Sequence, residues 1–290
     1  MKFVLPAEST LLEAIRVLVP SASNRTLRRI LEHGRVRVNG QISKVASQRI
    51  SAGAAVEVVD HGESRQAGGG LKIVFEDNDL LLVEKPAGLL TVATPHERER
   101  TVYAFLRRHL KERSPKLKLF IVHRLDKFAS GVLVFAKSEP IQTKLQALFS
   151  RHEIQRKYWA IVEGQVKQPK GAIRSKLAEN RMKRMHSIPD GEKGKEAVTH
   201  YRVLRRFPQL TVLEVTLETG RKNQIRVHMS ELGHPIVGDR AYGSQINPLG
   251  RLGLHAYLLG FKHPRLGTQV IHKTEAPPEF ERYLPKRPDI

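Results

Sequence analysis

A short polar segment divides the chain into two unequal parts. Residues 61–70 read HGESRQAGGG, and a polar run that ends in three glycines cannot bury enough surface to order itself. The parts on either side are each long enough to form a hydrophobic core. We therefore predict a first domain at 1–60, a glycine-rich linker at 61–70 and a second domain at 71–290.

The first part has the pattern of a small helix-helix-hairpin domain. Apolar residues recur at helical spacing between residues 11 and 18 and again between residues 27 and 31. The alternating sequence that follows ends in Asn39-Gly40, a dipeptide that favours a tight hairpin turn, and Val56 and Val58 indicate a further strand. We predict two helices followed by a hairpin.

The second part contains many short apolar runs and few helical patterns. The predicted strands cover residues 71–75, 80–83, 119–122, 131–136, 158–162, 198–203 and 210–217, and the predicted helices cover residues 101–110, 140–149 and 221–232. Because the strands come in adjacent pairs, we predict an α+β fold rather than a regular alternation of strand and helix. The glycine-rich motifs that bind dinucleotides or nucleoside triphosphates do not occur in the sequence.

The charge of the chain indicates a polyanionic partner. The 50 Lys and Arg residues against 29 Asp and Glu residues give a formal net charge of +21, which is typical of proteins that neutralise phosphates. A membrane surface is the less favoured partner, because the basic residues are spread over all elements instead of one amphipathic helix. The predicted contacts to a nucleic-acid backbone are Arg25, Arg28, Arg29, Arg35 and Arg37.

Residue usage excludes several other chemistries. The chain has no cysteine, which rules out disulfides, a thiolate nucleophile and zinc sites built on sulfur. The metal-binding histidine motif and the serine nucleophile elbow are also missing from the sequence, so we expect no metal centre and no serine hydrolysis. No stretch approaches the roughly 20 apolar residues of a membrane span, and the N-terminus is too polar for a signal peptide. We expect a cytoplasmic protein with no membrane partner.

Residues 121–131, IVHRLDKFASG, place a carboxylate between two apolar runs. Asp126 must find an arginine, a hydrogen-bond donor or water there, because an unpaired buried carboxylate is costly. From the residues alone, an ion pair with Arg124, a turn-capping role and catalysis all remain open.

A second dense segment, ETGRKNQIRVH at residues 218–228, is followed by GHPIVGD at 233–239. In a helix, Lys222 would lie one turn from Arg226, and Gln224 one turn from His228. Such a basic helix start would point at an anionic group. The alternative is a basic helix on the protein surface.

Residues 23–40, SNRTLRRILEHGRVRVNG, resemble the alpha-L RNA-binding motif, which is often joined to RNA-modifying enzymes. The resemblance implies that the second helix and the hairpin bind structured RNA. It favours RNA over DNA, which the charge alone does not decide.

The chain from about residue 71 to its end resembles the RluA-type pseudouridine synthases, which isomerise uridine in RNA. Five motifs carry the resemblance: VEKPAGL at 83–89, HRLD and SG at 123–126 and 130–131, RKYWA at 156–160, GR and QIRVH at 220–221 and 224–228, and GHPI and GD at 233–236 and 238–239. The resemblance implies an α+β catalytic domain on a mostly antiparallel mixed sheet. It also implies large-subunit ribosomal RNA as substrate, with no cofactor, no metal and no DNA partner, and a monomer is sufficient.

The resemblance further implies roles for individual residues. Asp126 would be the catalytic aspartate, Tyr158 the aromatic residue that faces the target base, and Arg226 the basic partner of the aspartate. The implied substrate-binding residues are Arg124, Ile225, Arg221 and His123. Arg124 would hold the place or the phosphates of the flipped nucleotide.

The chain departs from the family pattern at two places. Ala129 stands where threonine is usual, and Lys222 and Asn223 stand where threonine or serine and then histidine are usual. These positions leave the aspartate, the tyrosine and the second arginine in place, so we expect them to affect substrate detail rather than activity.

Uridine isomerisation breaks the bond between C1′ and N1 and joins C1′ to C5 of the same base. An ionised carboxylate is needed as a nucleophile on C1′ or as a base at C2′, and both roles remain open. We expect Arg226 to keep Asp126 ionised by lowering its pKa, Tyr158 to stack on the base and relay the C5 proton, and Ile225 to limit water. The nucleotide must also be flipped out of its stack.

Two other functions fit the same charge and motifs. One is a non-catalytic RNA-binding or ribosome-assembly factor on the same scaffold, and the other is the same isomerisation on transfer RNA. A metal-dependent nuclease would require a carboxylate cluster that we do not find in the sequence.

Overall fold

The computed structural model describes residues 2–19, 22–32, 34, 36–58, 65–66 and 70–285. Arg35 and most of the predicted linker lie outside these ranges, and the predicted domain boundaries stay predictions. The elements described before residue 59 are β1 (Lys2–Val4), β2 (Ser9–Thr10), α1 (Leu11–Leu18), α2 (Asn24–Glu32), β3 (Val36–Val38), β4 (Gln41–Ile42), β5 (Arg49–Ile50) and β6 (Ala55–Val58).

Helix α1 begins with a reciprocal pair of caps. The Thr10 hydroxyl accepts from the Glu13 amide at 3.3 Å, and the Glu13 carboxylate accepts from the Thr10 amide at 2.9 Å. These bonds satisfy amides that the first turn of a helix leaves unpaired. The apolar faces of both helices, with Leu11 and Leu27, pack with Val56 in one core.

The predicted hairpin is present. Asn39 and Gly40 have φ angles of 50° and 85°, and they join β3 to β4 in a sheet with the strand order β1-β6-β3-β4. Asparagine and glycine tolerate these positive angles better than other residues do. The predicted helix-helix-hairpin arrangement is therefore confirmed.

The remaining strands form one large sheet, and the remaining helices pack against it. The strands are β7 (Arg65–Gln66), β8 (Lys72–Glu76), β9 (Leu80–Lys85), β10 (Phe120–Ile121), β11 (Ser130–Ala136), β12 (Gln155–Glu163), β13 (Lys170–Glu179), β14 (Met185–Ile188), β15 (Lys195–Arg206), β16 (Leu210–Leu217), β17 (Leu254–Lys262) and β18 (Gln269–Lys273). The helices are α3 (Val102–Arg113), α4 (Glu139–Ser150), α5 (Gln224–Glu231) and α6 (Pro278–Glu281), with a 3₁₀ turn at Arg240–Tyr242.

The twelve-stranded sheet follows the order β14-β13-β15-β16-β12-β17-β11-β9-β8-β7, with β10 beside β11 and β18 beside β17. Within the described ranges, β11 and β17 form its parallel pair and the other pairs are antiparallel. The predicted α+β fold on a mostly antiparallel mixed sheet is confirmed. No helix among the described residues is long and apolar enough to cross a membrane.

Gly131 lies where the two antiparallel halves of the sheet meet. It pairs with Ala256 of β17, and its φ angle is 121°. A Cβ atom at this position would lie 2.1 Å from the Ala256 carbonyl oxygen. Only glycine allows the two backbones to approach this closely.

Helices cover both faces of the sheet. Leu81 and Val83 of β9 face the core that contains α3 and α5, whereas Leu80 and Leu82 face the core that contains α4. An apolar run without alternation is the pattern expected for a strand buried on both faces. This packing fixes the loops at the strand ends, where the candidate site lies.

Two sequence predictions are wrong at the second dense segment. Helix α5 begins at Gln224 rather than at residue 221, because Asn223 takes a left-handed conformation with a φ angle of 53°. Lys222 is therefore not paired with Arg226 on one helix face. The alternative of a surface helix is also wrong, since His228 is fully buried.

Other differences concern strands. The predicted strand at 119–122 is shortened to β10, and the strands that were not predicted are β1, β2, β5, β7, β13, β14, β17 and β18. Strand β7 lies within the predicted linker and pairs with β8, so the expectation that the whole linker lacks order is wrong at these two residues. Strand β13 is largely solvated, so it lacks a clear apolar face, and polar His255 and Gly260 interrupt the apolar pattern of β17. Hydrophobic periodicity is a weak guide in both situations.

Candidate active site

The implied catalytic and substrate-binding residues line one cavity of about 550 Å³. The loop between β10 and β11, strand β12 and the start of α5 form its walls. The predicted residues that line it are Asp126, Tyr158, Arg226, Arg124, Ile225, Arg221 and His123. Positions far apart in the sequence therefore meet at one concave site, which is the usual form of an active site.

The backbone on both sides of Asp126 is anchored. The buried Thr91 hydroxyl accepts from the Leu125 amide at 3.2 Å and donates to the Leu125 carbonyl at 2.7 Å. On the other side, the Lys127 carbonyl accepts from the Gly88 amide at 2.9 Å. The carboxylate therefore projects into the cavity from a loop that is held in place before substrate arrives.

Lys85 supplies a second anchor for this loop. Its ammonium group donates to the carbonyl oxygens of Pro86, Leu89 and Lys127 at 2.9, 2.8 and 3.0 Å. Burial lowers its pKa to about 7, although the charge of Asp126 opposes that shift. Sequence reasoning assigned no role to Lys85, although a lysine at the end of an apolar strand could have indicated one.

Arg226 divides its guanidinium group among several acceptors. Nε and Nη2 donate to the two carboxylate oxygens of Asp239 at 2.7 and 2.8 Å. Nη1 donates to Asn223 Oδ1 at 3.0 Å and lies 3.7 Å from Asp126 Oδ2. The Tyr242 ring packs against the guanidinium at 4.7 Å. Arg226 thus forms a bidentate ion pair with Asp239 and a longer contact with Asp126.

The pKa of Asp126 is raised above its ordinary value. Burial is the main cause, the charges of Arg226 and Arg124 oppose it, and the neighbouring Asp239 adds to it. Arg226 does lower the pKa of Asp126, as expected, but the expected net lowering is wrong because the effect of burial is larger. An ionised carboxylate in such surroundings is more basic than one in water.

The side chain of Tyr158, on β12, lines the cavity. Its side chain is buried, and burial raises its pKa, with a smaller opposing effect from Arg156. The phenol is therefore protonated near neutral pH and can donate a hydrogen bond. Ile225 is 4% exposed and provides an apolar wall in the same cavity.

The other implied substrate-binding residues differ in exposure. Arg124 is exposed at the cavity rim, and Arg221 donates from Nε to the Glu196 carbonyl at 2.9 Å. His123 accepts from the Val134 amide at 3.2 Å, and burial and then the nearby Arg156 charge lower its pKa to about 3. His123 is thus neutral and adds no positive charge.

The predicted RNA-binding arginines are elsewhere. Arg25, Arg28 and Arg37 are exposed on α2 and β3. The side chain of Arg29 and all of Arg35 lie outside the described residues. Their RNA-binding role stays a prediction.

One group of described residues has side-chain atoms close enough to hold a cation. Potential ligand atoms of Asp77, Asp79 and His263 lie within 4.8 Å of one another. Asp79 also pairs with Arg265 at 2.5 Å, and His263 hydrogen-bonds to Asp77 at 3.0 Å. The three side chains are therefore paired with one another or with Arg265. None of the three lines the cavity.

Comparison with protein families gives two matches. The RNA pseudouridylate synthase family matches residues 79–231, and the S4 domain matches residues 18–56. The Ribosomal large subunit pseudouridine synthase D of Pasteurella multocida is 33% identical over 92% of this chain and 88% of its own length. The protein of that name from Zymomonas mobilis is 39% identical over 73% of this chain and 71% of its own length.

Solved structures agree with these matches. Human RNA Pseudouridylate Synthase Domain Containing 4 superposes with a TM-score of 0.61 at 25% identity, covering 72% of this chain and 92% of that chain. Human RNA Pseudouridylate Synthase Domain Containing 1 superposes with a TM-score of 0.58 at 25% identity, covering 74% and 86%. The resemblances stated from the sequence motifs are confirmed.

Proposed function

The chain belongs to the RNA pseudouridylate synthase family, and from this premise we propose that it converts specific uridines of large-subunit ribosomal RNA to pseudouridine. The names of the most similar relatives support this substrate. The observation that carries the proposal is the meeting of Asp126, Tyr158 and Arg226 in one cavity.

Asp126 acts at the sugar of the target nucleotide. Its ionised carboxylate either attacks C1′ or removes a proton at C2′, and in both routes the bond from C1′ to N1 breaks. The detached uracil turns within the cavity and C5 joins C1′, which displaces the Asp126 carboxylate in the first route and follows the return of the proton to C2′ in the second. The C5 proton is then lost, and N1 takes up a proton. The raised pKa of Asp126 supports this role, since its ionised form is a stronger base or nucleophile than an ordinary aspartate.

The neighbouring residues hold the reacting groups. Arg226 faces the negative charge of Asp126 from 3.7 Å, and Asp239 fixes its orientation. The Tyr158 ring stacks on the uracil, and its phenol group relays the C5 proton. Ile225 keeps water from the reactive sugar.

The target nucleotide enters the cavity by leaving its base stack. Unstacking costs a few kcal/mol, which contacts between arginines and phosphates offset. The exposed Arg124 and the half-buried Arg221 at the cavity support such contacts. Arg25, Arg28 and Arg37 would bind RNA outside the cavity.

Tritium release tests the reaction and the substrate together. Transcripts of large-subunit, small-subunit and transfer RNA are labelled with tritium at C5 of uridine and incubated with the protein. We expect release from the large-subunit transcript. Release from transfer RNA alone would contradict the proposed substrate, and release from no RNA or ribosomal particle would contradict the proposed activity.

Asp239→Asn is expected to move the acid limb of the pH profile of kcat/KM to lower pH. Activity needs ionised Asp126 and is lost as pH falls through its pKa, which lies above the ordinary value. The substitution removes a negative neighbour and weakens the competition for Arg226, and both effects lower the pKa of Asp126. Tritium release measured from pH 4 to pH 9, a range of about five units around typical carboxyl and histidine values, reports the shift.

Asn223→Gly is the matched control for this prediction. It removes another acceptor of the Arg226 guanidinium, but it changes no charge and suits the left-handed backbone. We expect its acid limb to move much less than that of Asp239→Asn, because no negative charge is removed. An acid limb that stays in place in Asp239→Asn would contradict the assigned electrostatics.

The double substitution Arg25→Gln/Arg28→Gln is expected to weaken RNA binding while kcat stays unchanged. Loss of two phosphate contacts should raise KM roughly tenfold and reduce the slope of log K against log salt by about 2. Binding to the large-subunit transcript at several salt concentrations measures both. Wild-type values in the double variant would remove these arginines from the RNA interface.

A further inference from the structure

Arg156 is a buried cation in the wall of the cavity. It is 7% exposed and lies two residues before Tyr158 on the same face of β12. Residues two apart on a strand are separated by about 7 Å. Arg156 therefore enters the cavity beside the residue against which we place the base.

The hydrogen bonds of Arg156 are incomplete. Nη2 donates to the carbonyl oxygens of Leu217 and Glu218 at 3.2 and 2.9 Å, and the Phe149 ring lies 5.1 Å from the guanidinium carbon. Nε has no partner, and it is the one buried side-chain nitrogen or oxygen without a partner in the part of the chain that the structure describes. Buried polar groups are rarely left in this state.

The charge of Arg156 is also uncompensated. Among the described residues, Asp and Glu side chains form no ion pair with it, and burial lowers its pKa from the ordinary arginine value. An arginine stays protonated in proteins under these conditions. A buried cation without a partner is costly unless an anion joins it for part of the working cycle.

Gly220 leaves room for the guanidinium of Arg156. A Cβ atom at Gly220 would lie 2.8 Å from Arg156 Nη1, so glycine at this position makes space for the group. Gly220 and Arg156 both line the cavity. The guanidinium thus lies beside Gly220 in the cavity wall, and its Nε is a donor without a partner.

We propose that Arg156 binds a phosphate oxygen of the RNA chain next to the flipped uridine. This inference rests on the proposed function and adds to it the phosphodiester group that the cavity recognises. A phosphate fits better than a uracil oxygen, because only the phosphate neutralises the buried charge and guanidinium groups match phosphate geometry. Binding there would hold the sugar over Asp126.

A substitution in the protein combined with one in the RNA tests this site. Wild type, Arg156→Gln and Arg206→Gln are compared in binding an RNA hairpin that contains the uridine from which the wild type releases tritium. A second set of hairpins carries one neutral methylphosphonate at each phosphate flanking that uridine. Arg206 is the matched control, since it also donates to two carbonyls but does not line the cavity.

We expect Arg156→Gln to weaken binding of the unmodified hairpin about tenfold and to reduce the salt slope by about 1. One methylphosphonate should weaken binding of the wild type and of Arg206→Gln to a similar degree, and should have no further effect on Arg156→Gln. A merely structural role of Arg156 would not produce this coupling to a single phosphate.

Two results would overturn the phosphate site alone. One is unchanged binding by Arg156→Gln. The other is an equal penalty from each methylphosphonate in the wild type and in Arg156→Gln, which would leave a uracil oxygen or the protein backbone as the partner of Arg156. A wild type that releases no tritium from any RNA would instead contradict the proposed function, and the phosphate site with it.

Discussion

Asp126→Asn is expected to reduce tritium release by at least about 10³-fold while RNA binding stays within about twofold of the wild type. The amide keeps the size of the side chain, but it can neither attack C1′ nor remove a proton from C2′. The backbone contacts of Leu125 and Lys127 that hold the loop do not involve the carboxylate. Single-turnover release and equilibrium binding separate the two effects.

The stability of this variant has an expected sign. Because burial raises the pKa of Asp126, the folded protein favours the neutral form, and ionised Asp126 lowers stability as pH rises through the ordinary and then the raised pKa. An uncharged asparagine should therefore leave the Tm at neutral pH unchanged or slightly higher. Asp190→Asn, at a side chain that is 98% exposed, is the control. Lost activity together with a large fall in Tm would indicate unfolding instead of lost chemistry.

Gly131→Ala is expected to destabilise the fold by about 3 kcal/mol or more, or to prevent folding. The added Cβ would lie 2.1 Å from the Ala256 carbonyl oxygen, and the clash is with backbone rather than with a flexible side chain. Relief of the clash must separate β11 from β17, which are the parallel pair that joins the two halves of the sheet. Urea unfolding measures the change.

Gly191→Ala is the matched control for the clash. Gly191 has a φ angle of 101°, and a Cβ there meets no atom within 4 Å, so only the backbone strain remains. That strain should cost about 1 kcal/mol. Equal losses of stability in the two variants would show that the approach of β11 and β17 does not require glycine at residue 131.

Local patterns predicted the local parts of this fold. The helical spacing of apolar residues from 11 to 18 predicted α1, and Asn39-Gly40 predicted the hairpin, because helical periodicity and tight turns depend on residues that are close in sequence. The parallel pairing of β11 with β17 joins residues that are far apart in the chain. No local pattern of apolar residues encodes such a pairing.

The membership of the site was also accessible from sequence, because ordered motifs imply Asp126, Tyr158 and Arg226 together, and the three line one cavity. The electrostatics of the site could not be predicted from the sequence. Burial of Asp126 in the folded chain outweighs the charge of Arg226, and Asp239 also takes the fork of that guanidinium, so the direction of the Asp126 pKa could not be inferred from the spacing of charges.

The most direct test of the central claim is nucleoside analysis of the RNA product. Large-subunit ribosomal RNA, as free transcript and as ribosomal particle, is incubated with the wild-type protein without added metal or nucleotide, digested to nucleosides and separated by liquid chromatography. We predict that pseudouridine appears as uridine disappears and that Asp126→Asn yields none. Unchanged uridine in both forms of the RNA, or equal pseudouridine from the variant, would contradict the account.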